Sequence, residues 1–282
     1  MKAPANKFIC LLFFIFIIFQ SIYATDGLDN LTNDQTITSL INDLDIEDGE
    51  VITNAMDKLV EIGGLEVVDA LILETFCFLD QRRTLYASLI IRELDNDLVV
   101  DRLLKFIDNE DPSIRLNCLI MLKELGGNKL NGGMFESTII DEEPLIRTES
   151  IKILKKIGDK KSIDLLIEAT RDNDPDVKSD ALLAYTHLVG EEALAILEKT
   201  ILDEDYGVRI NTVIALNSLK SIKTINLLKY ALTDENKRVR SWALFSLENL
   251  NDPKILIILT EALNSEYEDV RNEARKILNS MQ

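Results

Sequence analysis

The sequence predicts an all-α fold, an α-solenoid forming a right-handed superhelix of about eight two-helix repeats of 31–32 residues. Three observations predict it. Small residues recur at Ala55, Ala87, Cys118, Ser150, Ala181, Thr212, Ala243 and Ala274, at intervals of 32, 31, 32, 31, 31, 31 and 31. Around each of these anchors, apolar residues fall at helical spacing. No stretch shows the strict alternation of a half-buried strand. A period held this tightly belongs to stacked units that bury their apolar faces on their neighbours, not to one globular core.

The N-terminal segment stands apart from the repeats. Lys2 and Lys7 precede an unbroken apolar run of 12 residues, Phe8 to Phe19, and a polar stretch resumes after Ala24. Twelve residues are too few to cross a bilayer, which takes about 20. A positive start, a short apolar middle and a small residue before a polar stretch describe a secretory signal peptide cut after Ala24. The expected organisation is therefore a signal peptide over 1–24, a short polar linker over 25–33 and the solenoid over 34–282. The chain is expected to be exported (secreted, periplasmic or at the cell surface), the alternative being an anchor that is retained. In an exported chain Asn30-Leu31-Thr32 forms a glycosylation acceptor pattern. Cys77 and Cys118 occupy apolar positions of the repeat, which favours buried free thiols, although export leaves a disulfide open.

Each repeat reads as two helices. In the second, apolar residues stand four after the anchor, as at Leu59, Leu122, Leu216 and Leu247, and seven after, as at Leu94, Leu125, Leu188 and Leu219. Four before it stand Val51, Ile114, Ile146, Val177, Val208, Val239 and Val270, with Arg83 breaking the rule in repeat two. The start of this helix is marked by an acidic residue seven before the anchor: Asp48, Asp80, Asp111, Glu143, Asp174 and Asp205. A carboxylate there satisfies free backbone N–H groups and complements the helix dipole. Pro112, Pro144 and Pro175 follow at the first helical position, where proline is at home. The first helix carries apolar residues 18, 15 and 11 before the anchor, as at Ile225, Leu228 and Leu232. Repeat four departs from this pattern. Gly132 stands where other first helices place an aliphatic residue, and Gly132 and Gly133 each cost about 1 kcal/mol in a helix. A short or irregular first helix, and a point of flexure, are expected there.

Composition narrows the function. Hydrophobic residues make up 46% of the chain but aromatics only 6%, so the core must be aliphatic. The formal net charge is −18, and loss of Lys2 and Lys7 with the first 24 residues would make it −20. This argues against nucleic acid, and against membrane contact beyond the N-terminal segment, because both need an electropositive footprint. It suits a protein or peptide partner with a basic patch. A single histidine, His187, leaves no His-rich metal site, and no phosphate-binding glycine loop or Gly-x-Ser-x-Gly nucleophile setting occurs. The acidic turn Asp172-Asn173-Asp174-Pro175-Asp176 lacks the glycine and the final glutamate of a calcium loop. No cofactor and no enzymatic role are expected.

The run Asp-x-Asp-x-x-Val-Arg-x-x-(small)-x-x-x-Leu resembles HEAT repeats, especially the short phycobilisome-lyase type. Its best copies are Asp203 to Leu216 and, with lysine for arginine, Asp172 to Tyr185. The resemblance covers roughly residues 34 to 282. It implies that an aspartate and an arginine six apart link neighbouring repeats, here Asp141/Arg147, Asp172/Lys178, Asp203/Arg209 and Asp234/Arg240. Repeats three and eight keep Arg115 and Arg271 but place Asn109 and Ser265 where the aspartate belongs, so the ladder should be strongest in the C-terminal half. The resemblance also brings an alternative function, tetrapyrrole handling in the manner of phycobilin lyases. The single histidine excludes the di-iron hydroxylases of the family, which need several His-Glu pairs.

In such solenoids the second helices line the concave side, which makes that face the expected interaction surface of a monomeric scaffold. Its exposed positions are expected one before the anchor and three and six after it. These include Tyr86, Asp180, Asn211 and Trp242 in the first column, Ser246 in the second, and His187 and Asn249 in the third.

Overall fold

A carboxylate accepting two amide hydrogens starts three of the described second helices. In a computed structural model that describes residues 29–76, 81–250 and 252–281, Asp48 accepts from the N–H groups of Glu50 and Val51. Asp174 accepts from Asp176 and Val177, and Asp205 from Gly207 and Val208. The longer Glu143 side chain makes no such bond, and Pro144 opens that helix instead. Two helices end on left-handed backbone. Gly158 adopts φ +65°, a conformation that glycine reaches without steric cost. Lys220 takes the equivalent place at φ +48° without that advantage.

Fifteen α-helices and five short 3₁₀ helices result, and no strand, among the described residues. In chain order they are α1 Asp29–Asp43, α2 Gly49–Ile62, α3 Gly64–Thr75, α4 Gln81–Glu93, α5 Asn96–Phe106, α6 Pro112–Leu125 and α7 Pro144–Ile157. There follow α8 Lys160–Ala169, α9 Pro175–Val189, α10 Leu194–Thr200, α11 Tyr206–Leu219, α12 Ile225–Ala231, α13 Lys237–Leu250, α14 Lys254–Ala262 and α15 Glu268–Ser280. The architecture is an all-α solenoid. Because α1 begins at Asp29, part of the linker expected over 25–33 is helical. The expected signal peptide, Cys77 and Asp80 lie outside the described residues.

The chain divides into two compact units at Arg102. In the first, α1 packs on α2 and α3, and α4 packs on α2 and α3. Arg83, the exception in the apolar register, has its Nε 3.3 Å from Asp45 of the preceding repeat. Nearby, burial pushes the Glu74 carboxyl up, against a hydrogen bond from Thr38 and the charge of Arg83. In the second unit, α6, α7, α9, α11, α13 and α15 pack each on the next, so the second helices form one continuous layer. The first helices α8, α10, α12 and α14 pack on their partners in a second layer.

All eight anchors are fully buried, at 0% exposure. Their smallness is what lets neighbouring helices approach closely, because interiors are packed without spare volume. The polar anchors keep their hydroxyls satisfied: Ser150 donates to the Ile146 carbonyl, and Thr212 donates to the Val208 carbonyl and pairs with Thr200. Cys118 is a free, buried thiol whose pKa burial drives upward.

Repeat four has no first α-helix. Three 3₁₀ turns replace it, Gly127–Lys129, Gly132–Phe135 and Thr138–Ile140. Gly132 is buried against the start of α8, where a Cβ would lie 2.5 Å from the Ser162 nitrogen. Phe135 and Ile139 fill the core in place of the missing helix. Asp159 caps α8 by accepting from the Ser162 N–H at 2.7 Å and also accepts from the Gly132 N–H at 2.9 Å. The carboxylate thus ties down a segment that its glycines alone would leave free.

Candidate functional site

Two sets of residues were expected to matter, the stacking ladder and the face of the second helices. In the ladder, each aspartate first shapes its own turn. Asp141, Asp172, Asp203 and Asp234 accept the N–H two residues on, at 2.7–3.0 Å. The same carboxylate then receives the cation of the preceding repeat. Arg115 binds Asp141 through two nitrogens at 2.7 and 2.9 Å, and Arg147 binds Asp172 at 2.8 and 2.8 Å. Lys178 reaches Asp203 at 2.8 Å, and Arg209 binds Asp234 at 2.7 and 3.1 Å. Each arginine also donates its remaining Nη1 hydrogens to the carbonyls six and five residues before it, as Arg209 does to Asp203 and Glu204. The hydrogen bonds to Asp141 and Asp234 raise the guanidinium pKa of Arg115 and Arg209 further above its usual value.

Two features of the ladder differ from expectation. Asn109 does not weaken repeat three, because it shapes the turn as aspartate would, accepting from the Asp111 N–H, while Arg115 pairs forward with Asp141. At the other end, Arg240 finds no aspartate at Ser265. It pairs instead with Asp269 at 2.8 and 3.1 Å and lies 3.7 Å above the Tyr267 ring centroid. Burial raises the Asp269 pKa, but the Arg240 contact outweighs it and holds the carboxyl below its usual value. The acidic turn at Asp172 and Asp174 is fully committed to Arg147, to its own backbone and to the cap of α9. Among the described residues no group of three or more His, Cys, Asp or Glu is arranged to hold a metal ion, and no helix is long and apolar enough to cross a membrane.

On the second-helix layer, the expected residues separate. Trp242 is 36% exposed, and its ring meets Phe245 edge-on, with centroids 5.6 Å apart and planes at 88°. Asp180 and Asn211 are half-buried on α9 and α11, and Asn211 spends its amide on the Gly207 carbonyl. His187 and Asn249 are exposed, and Asn249 donates to Asn217 at 3.4 Å. Tyr86 is half-buried and belongs to the other compact unit. Ser246 corrects the expectation: it is fully buried and donates to the Trp242 carbonyl. The reason is angular. A helix turns about 100° per residue, so a residue three after the anchor returns to the flank where the next second helix packs. A residue two after it stands about 200° away from the anchor and faces outward.

That outward column is the part that sequence reasoning missed. It runs Leu183 on α9, Ile214 on α11 and Phe245 on α13, with Lys152 and Lys276 at its two ends. Leu183 and Ile214 are half-buried and Phe245 is 48% exposed. Both lysines are held by neighbouring glutamates, Lys152 by Glu149 and Lys276 by Glu273. Beyond Phe245 a shallow groove of about 370 Å³ runs between α13 and α15, floored by Leu244 and Ile277. Beside Leu183, the Asp180 carboxyl is raised by burial, which the distant Lys152 only partly offsets. Asp180 has no hydrogen bond or ion pair among the described residues.

The family model for HEAT repeats matches residues 135–217 and 191–279. Among solved structures, the chain is similar to Escherichia coli YibA, with 17% identity and a TM-score of 0.54 over 90% of this chain and 98% of that one. An archaeal HEAT-like repeats protein from Thermococcus onnurineus NA1 is 14% identical, with a TM-score of 0.49 over 75% of this chain and 95% of that one. Human deoxyhypusine hydroxylase is 16% identical, with a TM-score of 0.38 over 89% and 97%. Identities this low speak to the fold alone. No curated protein matches the chain in sequence.

Proposed function

Because this chain belongs to the HEAT-repeat family, we propose that it is a non-catalytic scaffold that holds a protein or peptide on the face of its second helices. The observation that carries the reading is the exposed Trp242–Phe245 pair on α13. Interface hot spots are enriched in tryptophan, and Trp242, packed edge-on against Phe245, places such an anchor at the surface. Acidic surface charge supports a partner with a basic patch, brought to the site by long-range attraction. The chain acts as a monomer, without cofactor, after export directed by residues 1–24.

The test is affinity capture with the full chain, from cell extract and from medium, beside Trp242→Ala and Phe245→Ala. Truncating a hot-spot aromatic costs about 2 kcal/mol or more, roughly thirtyfold in affinity, so capture should be lost from both variants. Capture that survives in both refutes the assignment of the face. A bilin titration followed by absorbance separates the tetrapyrrole-handling alternative, which requires a saturable spectral change.

A further inference from the structure

Each ladder arginine divides its guanidinium between two tasks. Nη1 holds the carbonyls six and five residues before it, while Nε and Nη2 reach forward and grip a carboxylate, as in Arg209. Arg115, Arg147 and Arg240 complete both tasks in the same way. Arg271 on α15 completes only the first. Its Nη1 donates to the Ser265 and Glu266 carbonyls at 2.7 and 2.8 Å, so its guanidinium is already held in the rung position. No hydrogen bond or ion pair engages its Nε or Nη2 among the described residues.

The flank of α15 beside Arg271 is charged as well. In the second helices before it the residue after the anchor is apolar and buried: Leu119, Ile151, Leu182, Val213 and Leu244. In α15 that residue is Arg275, which is exposed and likewise has no partner among the described residues. One helical turn separates the two arginines, which sets their side chains next to each other on one face. Like charges so placed work against the helix. They stand unneutralised in a chain where 49 acidic residues outnumber 31 basic ones. A carboxylate delivered from outside satisfies both.

The ladder supplies the template for that ligand. Asp234 accepts the Asn236 N–H, which fixes its turn, and presents both oxygens to Arg209, while the adjoining Glu235 reaches Arg209 Nη2 at 3.3 Å. We propose that α15 binds an acidic turn of a partner protein in the same manner, with an aspartate held bidentately by Arg271 and the adjoining carboxylate by Arg275. A second copy of the chain is a poor occupant, because its turn aspartates Asp141, Asp172, Asp203 and Asp234 already hold cations. The net charge of −18 repels an acidic partner at long range, so recognition rests on the bidentate contact itself. The site does not depend on Trp242 or Phe245.

The probe is a synthetic peptide with the sequence of residues 201–208, which carries the turn Asp203-Glu204-Asp205. It is titrated into the full chain, and the arginine Nε–H resonances in nitrogen-15 spectra read the site, assigned with Arg271→Lys and Arg275→Ala. The Arg271 and Arg275 resonances should move saturably, while those of Arg115, Arg147, Arg209 and Arg240 stay in place. Arg271→Lys keeps the charge but loses the fork, and should weaken the peptide about tenfold. Arg275→Ala should weaken it about fivefold with an unchanged melting temperature, which keeps the test decisive if Arg271→Lys fails to fold. A peptide carrying Asp203→Asn should bind about tenfold more weakly, and Trp242→Ala should bind the original peptide normally. No saturable movement at Arg271, or equal binding of the Asp203→Asn peptide, overturns the proposal. A peptide with phosphoserine in place of Asp203 that binds more than about tenfold tighter also overturns it, since the fork then serves a phosphate. So does a dimer in sedimentation that Arg275→Ala dissociates, since the occupant is then a second copy.

Discussion

Replacing Arg209 by alanine should cost far more than replacing Lys178, although both occupy the same rung position. Arg209 makes five side-chain hydrogen bonds: two to Asp234, one to Glu235, and one each to the Asp203 and Glu204 carbonyls. Its side chain is 8% exposed and that of Asp234 7%. Its removal leaves the Asp234 carboxylate with its own turn N–H but no cation, and leaves two turn carbonyls without this donor. Breaking a buried charge pair on one side costs about 3–5 kcal/mol. Lys178 makes one such bond, to Asp203, across a more open rung with side chains 18% and 14% exposed. One charge-assisted bond is worth about 1.5–3 kcal/mol at most, and partial exposure places Lys178→Ala near ~1 kcal/mol. Conversely, Lys178→Arg should stabilise the protein, because a guanidinium could also reach the Asp172 and Asn173 carbonyls, as its neighbours reach theirs. Urea unfolding followed by far-ultraviolet circular dichroism measures all three. Equal losses for Arg209→Ala and Lys178→Ala, or a loss for Lys178→Arg, would refute the claim that bidentate geometry, not charge alone, holds the stack.

Ala243→Leu should destabilise by about 1–3 kcal/mol, because the anchor is fully buried and the added methylenes have no space; an unchanged melting temperature would contradict this. Asp159 should make repeat four sensitive to acid. Its hydrogen bonds from Gly132 and Ser162 outweigh burial and hold its pKa below the usual carboxylate value. The folded state therefore binds fewer protons than the unfolded one. The stabilisation is complete above about pH 4, the unfolded value, and is lost as pH falls toward the lower folded one. Hydrogen exchange over residues 127–140 should accelerate in that window, and Asp159→Asn should remove the pH dependence; exchange indifferent to both would sink the clamp. Asp180→Asn should raise the urea midpoint, since burial disfavours the Asp180 charge, while it weakens any basic partner. A site kept at a cost to stability is what function predicts.

Much of this was legible in the sequence because the repeat constrains it. The eight small anchors specify which residues are fully buried, since no larger side chain fits where helices touch. Helix starts were legible at Asp48, Asp111, Asp174 and Asp205, because capping is a local interaction. The missing first α-helix of repeat four was foreshadowed by Gly132, but not the Asp159 carboxylate that bridges it, which comes from 27 residues away. The substitute rung at Asp269 was hidden for a similar reason: a motif places Ser265 and ignores the next turn. The column Leu183, Ile214 and Phe245 was present in the sequence but was passed over by reading positions three after the anchor, as at Ser246. The helix period of 100° per residue points two after it instead.

The most direct measurement compares two pairs of substitutions on opposite layers. Trp242→Ala with Phe245→Ala alters the second-helix face, and Leu256→Ser with Ile257→Ser alters comparably exposed apolar residues on the first helix α14. Binding of the captured partner by each folded variant, read by sedimentation or surface binding, should be abolished by the first pair and unchanged by the second. Loss of binding in the second pair with retention in the first would place the interaction on the other layer and contradict the proposed function.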